Sequence, residues 1–397
     1  MNFDFSEWLN LALRWLHLTA GIAWIGSSFY FVWLDNHLKP PAREPGPDTP
    51  SGELWSVHGG GFYHNEKFQV APGHMPDELH WFKWEAYFTW LSGFSLLVLV
   101  YYVGAQSFLI DPAKSDLGPA EAIALGLMAL AGGWIFYDLL CRSLPNHPLL
   151  LGAVWFAFLV GMAIGLNDLF TARGAYLHIG AMLGTAMVGN VFFVIIPNQR
   201  KVVADLVAGR QPDPALGYAA KQRSVHNNYM TLPVLFIMIS HHYPMTYGAQ
   251  RPWLVLALLG LTGVAVRHVF NLRHRARPTG AAMAVAAALA LVSVTYVSLE
   301  RTGGGPAPGA PRLAFADVQP IFARHCVSCH SDHPTNPAFT APPLGVHLDS
   351  YDHARAVAER IRKVAVDAEV MPLGNLTGMT REERQKLGDW IAQGTPR

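Results

Sequence analysis

The chain has 397 residues, of which 51% are hydrophobic and only 14% charged, with a net charge of +1. Soluble domains carry roughly 25% charged residues, so this composition excludes an ordinary soluble globular chain and makes a lipid bilayer the first expected partner. The balanced charge offers no cationic surplus for nucleic acid.

Apolar runs long enough to cross a hydrocarbon core of ~30 Å recur along the first three quarters of the chain. They fall approximately at Leu9 to Leu34, Trp84 to Phe108, Ala120 to Leu140, Leu149 to Leu166, Ala175 to Pro197, Asn228 to Tyr243, Trp253 to Phe270 and Gly280 to Leu299. The sixth is short and interrupted by Pro233. Buried helices of a soluble core would be neither so long nor so numerous, so residues 1–300 are expected to form an eight-span transmembrane helical bundle.

Nearly fifty residues separate the first two runs, reading Val57-His58-Gly59-Gly60-Gly61-Phe62-Tyr63-His64-Asn65-Glu66-Lys67 and then Leu79-His80-Trp81-Phe82-Lys83-Trp84-Glu85. Disorder calls for few aromatics, whereas this loop interleaves aromatics with His, Lys and Glu as a binding pocket does. His58, His64, Lys67 and His80 are the candidate functional residues, with Asn227 and Asn228 near the sixth run as additions. A flexible turn with surface histidines is the alternative.

Histidines inside apolar runs are costly and default to functional hypotheses. His17 and His178 are each followed by small residues, Gly21, Gly26 and Ser27 in one run and Gly180, Gly184 and Gly189 in the other. Leu16-His17-Leu18-Thr19-Ala20 is echoed by Leu177-His178-Ile179-Gly180-Ala181 at an offset of 161 residues, which would make the bundle a 4+4 parallel repeat. Two readings compete. Either His17 and His178 are axial ligands of a buried b-type haem, with His80, His226 or His268 serving a second haem or a substrate, or they are hydrogen-bonded core histidines beside helix-packing seams.

Residues 301–312 hold the Gly/Pro linker Gly303-Gly304-Gly305-Pro306-Ala307-Pro308-Gly309-Ala310-Pro311, and residues 313–397 a small all-α domain. Within it, Cys326-Val327-Ser328-Cys329-His330 has the C-x-x-C-H spacing that lets two thiols add to haem vinyls while the following histidine ligates iron. A disulfide or half a zinc site is the alternative, and it lacks a partner, since Cys141 is the remaining cysteine. One covalent haem c is therefore expected. Met371, in Val370-Met371-Pro372-Leu373-Gly374, is the leading sixth ligand and Met379 the runner-up, against a packing role for either. Helices are expected at Asp352 to Val366, at Thr380 to Gln393 and leading into the haem motif. His325, His333, His347 and His353 are expected at the solvated surface.

Orientation follows by two routes. Loops after the odd-numbered runs hold thirteen Lys and Arg, and the opposite loops only Lys114, Arg173 and Arg251. The positive-inside rule then places both termini outside. Haem attachment to C-x-x-C-H on the outer face of a bacterial inner membrane demands the same topology, with a periplasmic N-terminus and C-terminal domain. The acidic opening Met1 to Trp8 shows no cleavable signal pattern.

The opening Arg14-Trp15-Leu16-His17 through Trp24-Ile25-Gly26-Ser27-Ser28-Phe29-Tyr30, the segments Trp81-Phe82-Lys83-Trp84-Glu85 and His226-Asn227-Asn228-Tyr229, and the tethered haem domain together resemble the bacterial membrane-bound urate oxidases, or urate hydroxylases. The resemblance covers essentially the whole chain. It implies oxidation of urate to 5-hydroxyisourate, with electrons passed through haem to a soluble cytochrome c or terminal oxidase and no hydrogen peroxide formed. Cys326, Cys329 and His330 match that family's haem c motif. In the first loop, His58, His64 or His80 would serve as proton acceptor and Lys67 as the counter-charge to urate. A membrane haem protein relaying quinol electrons to a periplasmic acceptor is the competing reading, and a transporter with a sensory haem domain a third.

Overall fold

The computed structural model describes residues 5–43, 49–68, 71–72, 74–301, 311–336 and 339–397. It is mainly helical. Helix α1 (Phe5–His37) precedes a hairpin of β1 (Gly52–His58) and β2 (Gly61–Lys67). There follow α2 (Trp84–Leu97), α3 (Ala105–Phe108), α4 (Pro119–Ser143), α5 (Pro148–Leu169), α6 (Ala172–Gly189), α7 (Ile196–Val207), α8 (Pro214–Ser240), α9 (Pro244–Tyr247), α10 (Pro252–His274) and α11 (Gly280–Arg301). The C-terminal domain adds α12 (Phe315–His325), α13 (Tyr351–Ala356), α14 (Ala358–Ile361) and α15 (Arg381–Ala392).

The apolar runs lie on helical backbone, the second broken by the turn at Val103 and Gly104. Among the described residues, five helical stretches are long and apolar enough to cross a membrane: 119–143, 148–169, 172–207, 252–274 and 280–299. Helix starts follow local chemistry. Pro119 and Pro214 occupy first-turn positions where no N–H is missed, Asp213 Oδ1 accepts from Ala215 N at 2.9 Å, and Thr171 Oγ1 accepts from Gly174 N at 3.0 Å. Leu127, Met128, Ile135, Leu139, Leu149 and Val292 point outward and exposed, an arrangement that water penalises and hydrocarbon does not. Inside, Tyr137, Phe170, Leu109 and Met182 are fully buried and tie α4 and α6 together.

The C-terminal domain has its own core of Phe322, Leu387, Trp390 and Ile361. The expected helix at 352–366 is split into α13, α14 and a π turn over 362–367, while α15 falls within the expected final helix. This domain seats on the bundle. Gly374 has φ +59, and a Cβ there would lie 3.1 Å from the Ser107 carbonyl oxygen; one on Gly248 would lie 2.4 Å from Ala368 Cβ. Val370 packs against the bundle's own core. The linker expected at 303–311 lies, apart from Pro311, outside the described residues.

Candidate functional site

The C-x-x-C-H motif follows α12 directly. The peptide N–H of Cys326 bonds Phe322 O at 2.9 Å, and the Cys326 side chain packs on the domain core, where burial pushes its thiol up to about 12. His330 Nδ1 donates to Val346 O at 3.0 Å, which leaves Nε2 with the free lone pair that a metal ligand presents. Burial also holds this imidazole below its usual pKa. Met371 packs on the same core as Cys326. Its loop is pinned by buried Arg384, which donates to the carbonyls of Ala365 and Met371, the latter at 2.6 Å, and to Asn375 Oδ1 at 3.3 Å. Met379 is buried as a core residue. Two thiols, an oriented imidazole and a held thioether loop are a donor set that fits a covalently attached haem.

His325 corrects one expectation. It is buried, bonding Thr377 Oγ1 at 2.7 Å and facing Glu383 Oε2 at 3.2 Å, because it lies on the inner face of α12. His333 and His353 are exposed and His347 half-buried.

In the bundle, His17 and His178 occupy different helix interfaces. His17 Nδ1 donates to Thr89 O at 2.9 Å on α2, and a Cβ on Gly93 would meet its ring at 2.8 Å. His178, fully buried, donates from Nδ1 to Gly174 O at 2.8 Å, and Tyr102 Oη sits 3.3 Å from its Nε2. A Cβ on Gly126 of α4 would lie 2.6 Å from that Nε2. In both rings Nδ1 carries the proton and Nε2 is the acceptor; in His178 that acceptor faces the Tyr102 hydroxyl.

Among its described residues, the first loop forms a hairpin and not a pocket. Gly59 and Gly60 take φ of +58 and +82, which only glycine adopts freely, and let His58 pair with Gly61 across the turn. His64 stacks on Trp55 with centroids 4.3 Å apart and faces Glu53 at 3.1 Å, while Lys67 pairs with Asp35 of α1 at 2.7 Å. His58, His64, Lys67 and His80 are all exposed, and the fold spreads them over this surface without enclosing them.

Two buried polar networks flank α8 on opposite sides. The first is closed. Arg223 bonds Asp138 at 2.7 Å and Asn190 Oδ1 at 3.0 Å; Asn190 Nδ2 reaches Asn227 Oδ1 at 2.8 Å and Tyr137 Oη at 3.1 Å; Asn227 Nδ2 donates to Met187 O. The second, on Asn228, Arg267 and Asn271, leaves several buried atoms without partners. Between α5, α8 and α10 lies an apolar cleft of about 660 Å³ lined by Trp155, Trp253, His226 and His268. The Nδ1 atoms of those two histidines are bonded by the hydroxyls of Tyr137 and Tyr229, each at 2.8 Å.

A family model described as "Urate oxidase N-terminal" matches residues 4–298. The chain belongs to this family. No curated protein and no solved structure matches. The urate oxidase N-terminal match spans α1 to α11 nearly to its end, including the hairpin, and supports a urate-related oxidoreductase role; the helices long and apolar enough to cross a membrane lie almost wholly within it. The C-terminal domain lies beyond it.

Within the matched segment, sequence reasoning missed Arg223, Arg267 and Asn271. The signal was available: Arg267 stands inside the apolar run from Trp253 to Phe270, where an ionisable side chain is expensive unless partnered or used. Asn227 and Asn228, adjacent in sequence, face different networks because neighbouring helical positions point some 100° apart.

Proposed function

We propose that this urate oxidase family member is an eight-span protein of the bacterial inner membrane that oxidises urate to 5-hydroxyisourate and exports the electrons through its C-terminal domain. The reaction balances as urate plus water giving 5-hydroxyisourate, two protons and two electrons. A haem c would be held by Cys326, Cys329, His330 and Met371 and would supply one-electron chemistry between urate and a soluble cytochrome c or terminal oxidase. The observation that carries the reading is the union, in one chain, of the urate oxidase N-terminal segment with a C-x-x-C-H domain seated on it through the loop that contains Met371.

The chain's own residues have separate tasks in this scheme. Val346 O fixes the tautomer of His330, and Arg384 fixes the Met371 loop. His17 and His178 are the proposed ligands of one or two b-type haems, each presenting Nε2 with Nδ1 tied to a carbonyl. His58 and His64 of the hairpin and His80 beyond it are the proposed proton acceptors and Lys67 a cationic guide for the anion. Both termini are proposed to face the periplasm, as the charge asymmetry of the loops requires.

The apolar cleft beside His226 and His268 favours a second reading, a relay from quinol, because an apolar ring with two hydrogen-bonding edges suits such a space. One experiment separates them. Urate added anaerobically to the purified protein should reduce the c-type absorbance, with 5-hydroxyisourate as product and no hydrogen peroxide. If dithionite and a quinol reduce the haem and urate does not, the relay replaces the oxidase.

A further inference from the structure

Arg267, Asn271 and His274 are spaced i, i+4, i+7 along α10 and so share one face. That face meets Asn228 on α8 and Phe29 on α1. Arg267 Nε donates to Asn228 Oδ1 at 2.8 Å, Asn271 Nδ2 donates to the same oxygen at 3.1 Å, and the guanidinium carbon stands 3.9 Å from the Phe29 ring centroid. Arg267, Asn228 and Asn271 are 3%, 1% and 7% exposed. Yet Arg267 Nη2, Asn228 Nδ2 and Asn271 Oδ1 have no partner.

Amide flips do not remove these orphans. Asn228 must present its oxygen to two donors, so its Nδ2 is the free group; Asn271 must present its nitrogen, so its Oδ1 is free. A buried group without a partner costs ~1–3 kcal/mol, and more when charged, so a charged and two neutral orphans meeting at three helices are a standing cost that a ligand can offset. The Asn190 network across α8, equally buried, is closed; orphaned buried atoms also occur elsewhere, at Tyr101 Oη, Trp155 Nε1 and Arg173 Nε among others, but here three stand on residues that bond one another.

The free groups are two donors, one of them cationic, beside one acceptor and an aromatic face. An oxopurine anion has the complementary edge, with carbonyl and deprotonated-nitrogen acceptors next to a ring N–H, and a planar face to lie against Phe29. We propose that the purine anion of this reaction binds at Arg267, Asn228 and Asn271. Phe29, half-buried, covers the guanidinium and moves aside to admit the ring. The site lies toward the end of α10 where Arg275 Nε bonds Asn36 Oδ1 at 3.2 Å and His37 meets His274 at 5.4 Å, the same end of α1 to which Lys67 of the hairpin is tied.

This assignment rests on the urate oxidase reading, and the test keeps the two apart. Full-length protein, reduced beforehand with dithionite so that turnover is blocked, is dialysed to equilibrium against labelled urate, and the oxidised protein is assayed for turnover in parallel. Arg267→Gln should weaken urate binding roughly 100-fold, and Asn271→Leu and Arg267→Lys each roughly 10-fold, with haem c content unchanged. Should Arg267→Gln fail to accumulate as folded protein, the lysine variant and Phe29→Leu carry the test. Wild-type binding and turnover together with variants that bind urate within twofold of wild type would overturn the pocket and leave the oxidase reading standing. Wild-type protein that neither binds nor oxidises urate would overturn both.

Discussion

Arg384 is predicted to decide whether Met371 can serve the haem. Its buried guanidinium donates to three acceptors on two separate segments, the carbonyls of Ala365 and Met371 and the side chain of Asn375. Arg384→Lys keeps the charge but replaces a planar fork with one ammonium whose three N–H groups diverge from a single point, so it is expected to hold one segment and lose the spread of contacts to the other. Two hydrogen bonds to a charged donor are then lost, at ~1.5–3 kcal/mol each before relaxation, so a net loss of ~2–4 kcal/mol is expected. For a domain of this size each kcal/mol lowers the midpoint by roughly 4–8 °C, so melting of the C-terminal domain should fall by at least about 10 °C. The assay is thermal melting of the full chain followed at the haem absorbance, together with the thioether–iron signature of the oxidised protein. A variant melting within about 3 °C of wild type with that signature intact would show that the loop holds itself and that Arg384 is a packing residue.

Three further outcomes are expected. Glu383 accepts from Thr380 N at 2.9 Å and faces His325, so its folded pKa lies below the ordinary 4.5; the stability it contributes is full above that value and lost as pH falls through the lowered one. Urea denaturation of Glu383→Gln across pH 3 to 6 should therefore show a flatter acid limb than wild type. Gly126→Ala drives a methyl to 2.6 Å from His178 Nε2 and should cost ~1–3 kcal/mol in detergent melting, and b-type absorbance should fall with it if His178 is a ligand. Gly374→Ala places a side chain at φ +59 against the Ser107 carbonyl; it should slow haem c reduction by urate while leaving reduction by dithionite unchanged, and equal rates with urate would exclude this seat from the electron path.

What could be read from the chain depended on how local the determinant was. Hydropathy runs and the C-x-x-C-H spacing are contiguous, so the helices and that motif stand out in the sequence alone. The hairpin was legible in composition: Trp55, Val57, Phe62 and Tyr63, all strand formers, flank a glycine turn. Its enclosure as a pocket was not legible, because whether His64 finds a wall or solvent depends on what packs over β2. Burial of His325 was hidden for the same reason, since its partners Thr377 and Glu383 lie more than fifty residues away. The Arg267 cluster needs three helices to meet, and only the anomaly of an arginine in an apolar run announced it.

The two ends of the bundle impose a condition on any mechanism that joins them. The C-terminal domain seats at α3 and α9, beside the start of α10, whereas Arg267 stands 15 residues beyond Pro252. At 1.5 Å per residue that is about 22 Å of helix between the proposed substrate pocket and the seat of the haem domain. Electrons released one at a time need a stepping stone across such a span. His178, six residues into α6, lies about 9 Å below that helix's start, and His17 lies on the length of α1 that leads toward Phe29. A urate-reducible haem c without any b-type absorbance would leave that gap unbridged. It would move the site of purine oxidation toward the docking face, away from Arg267.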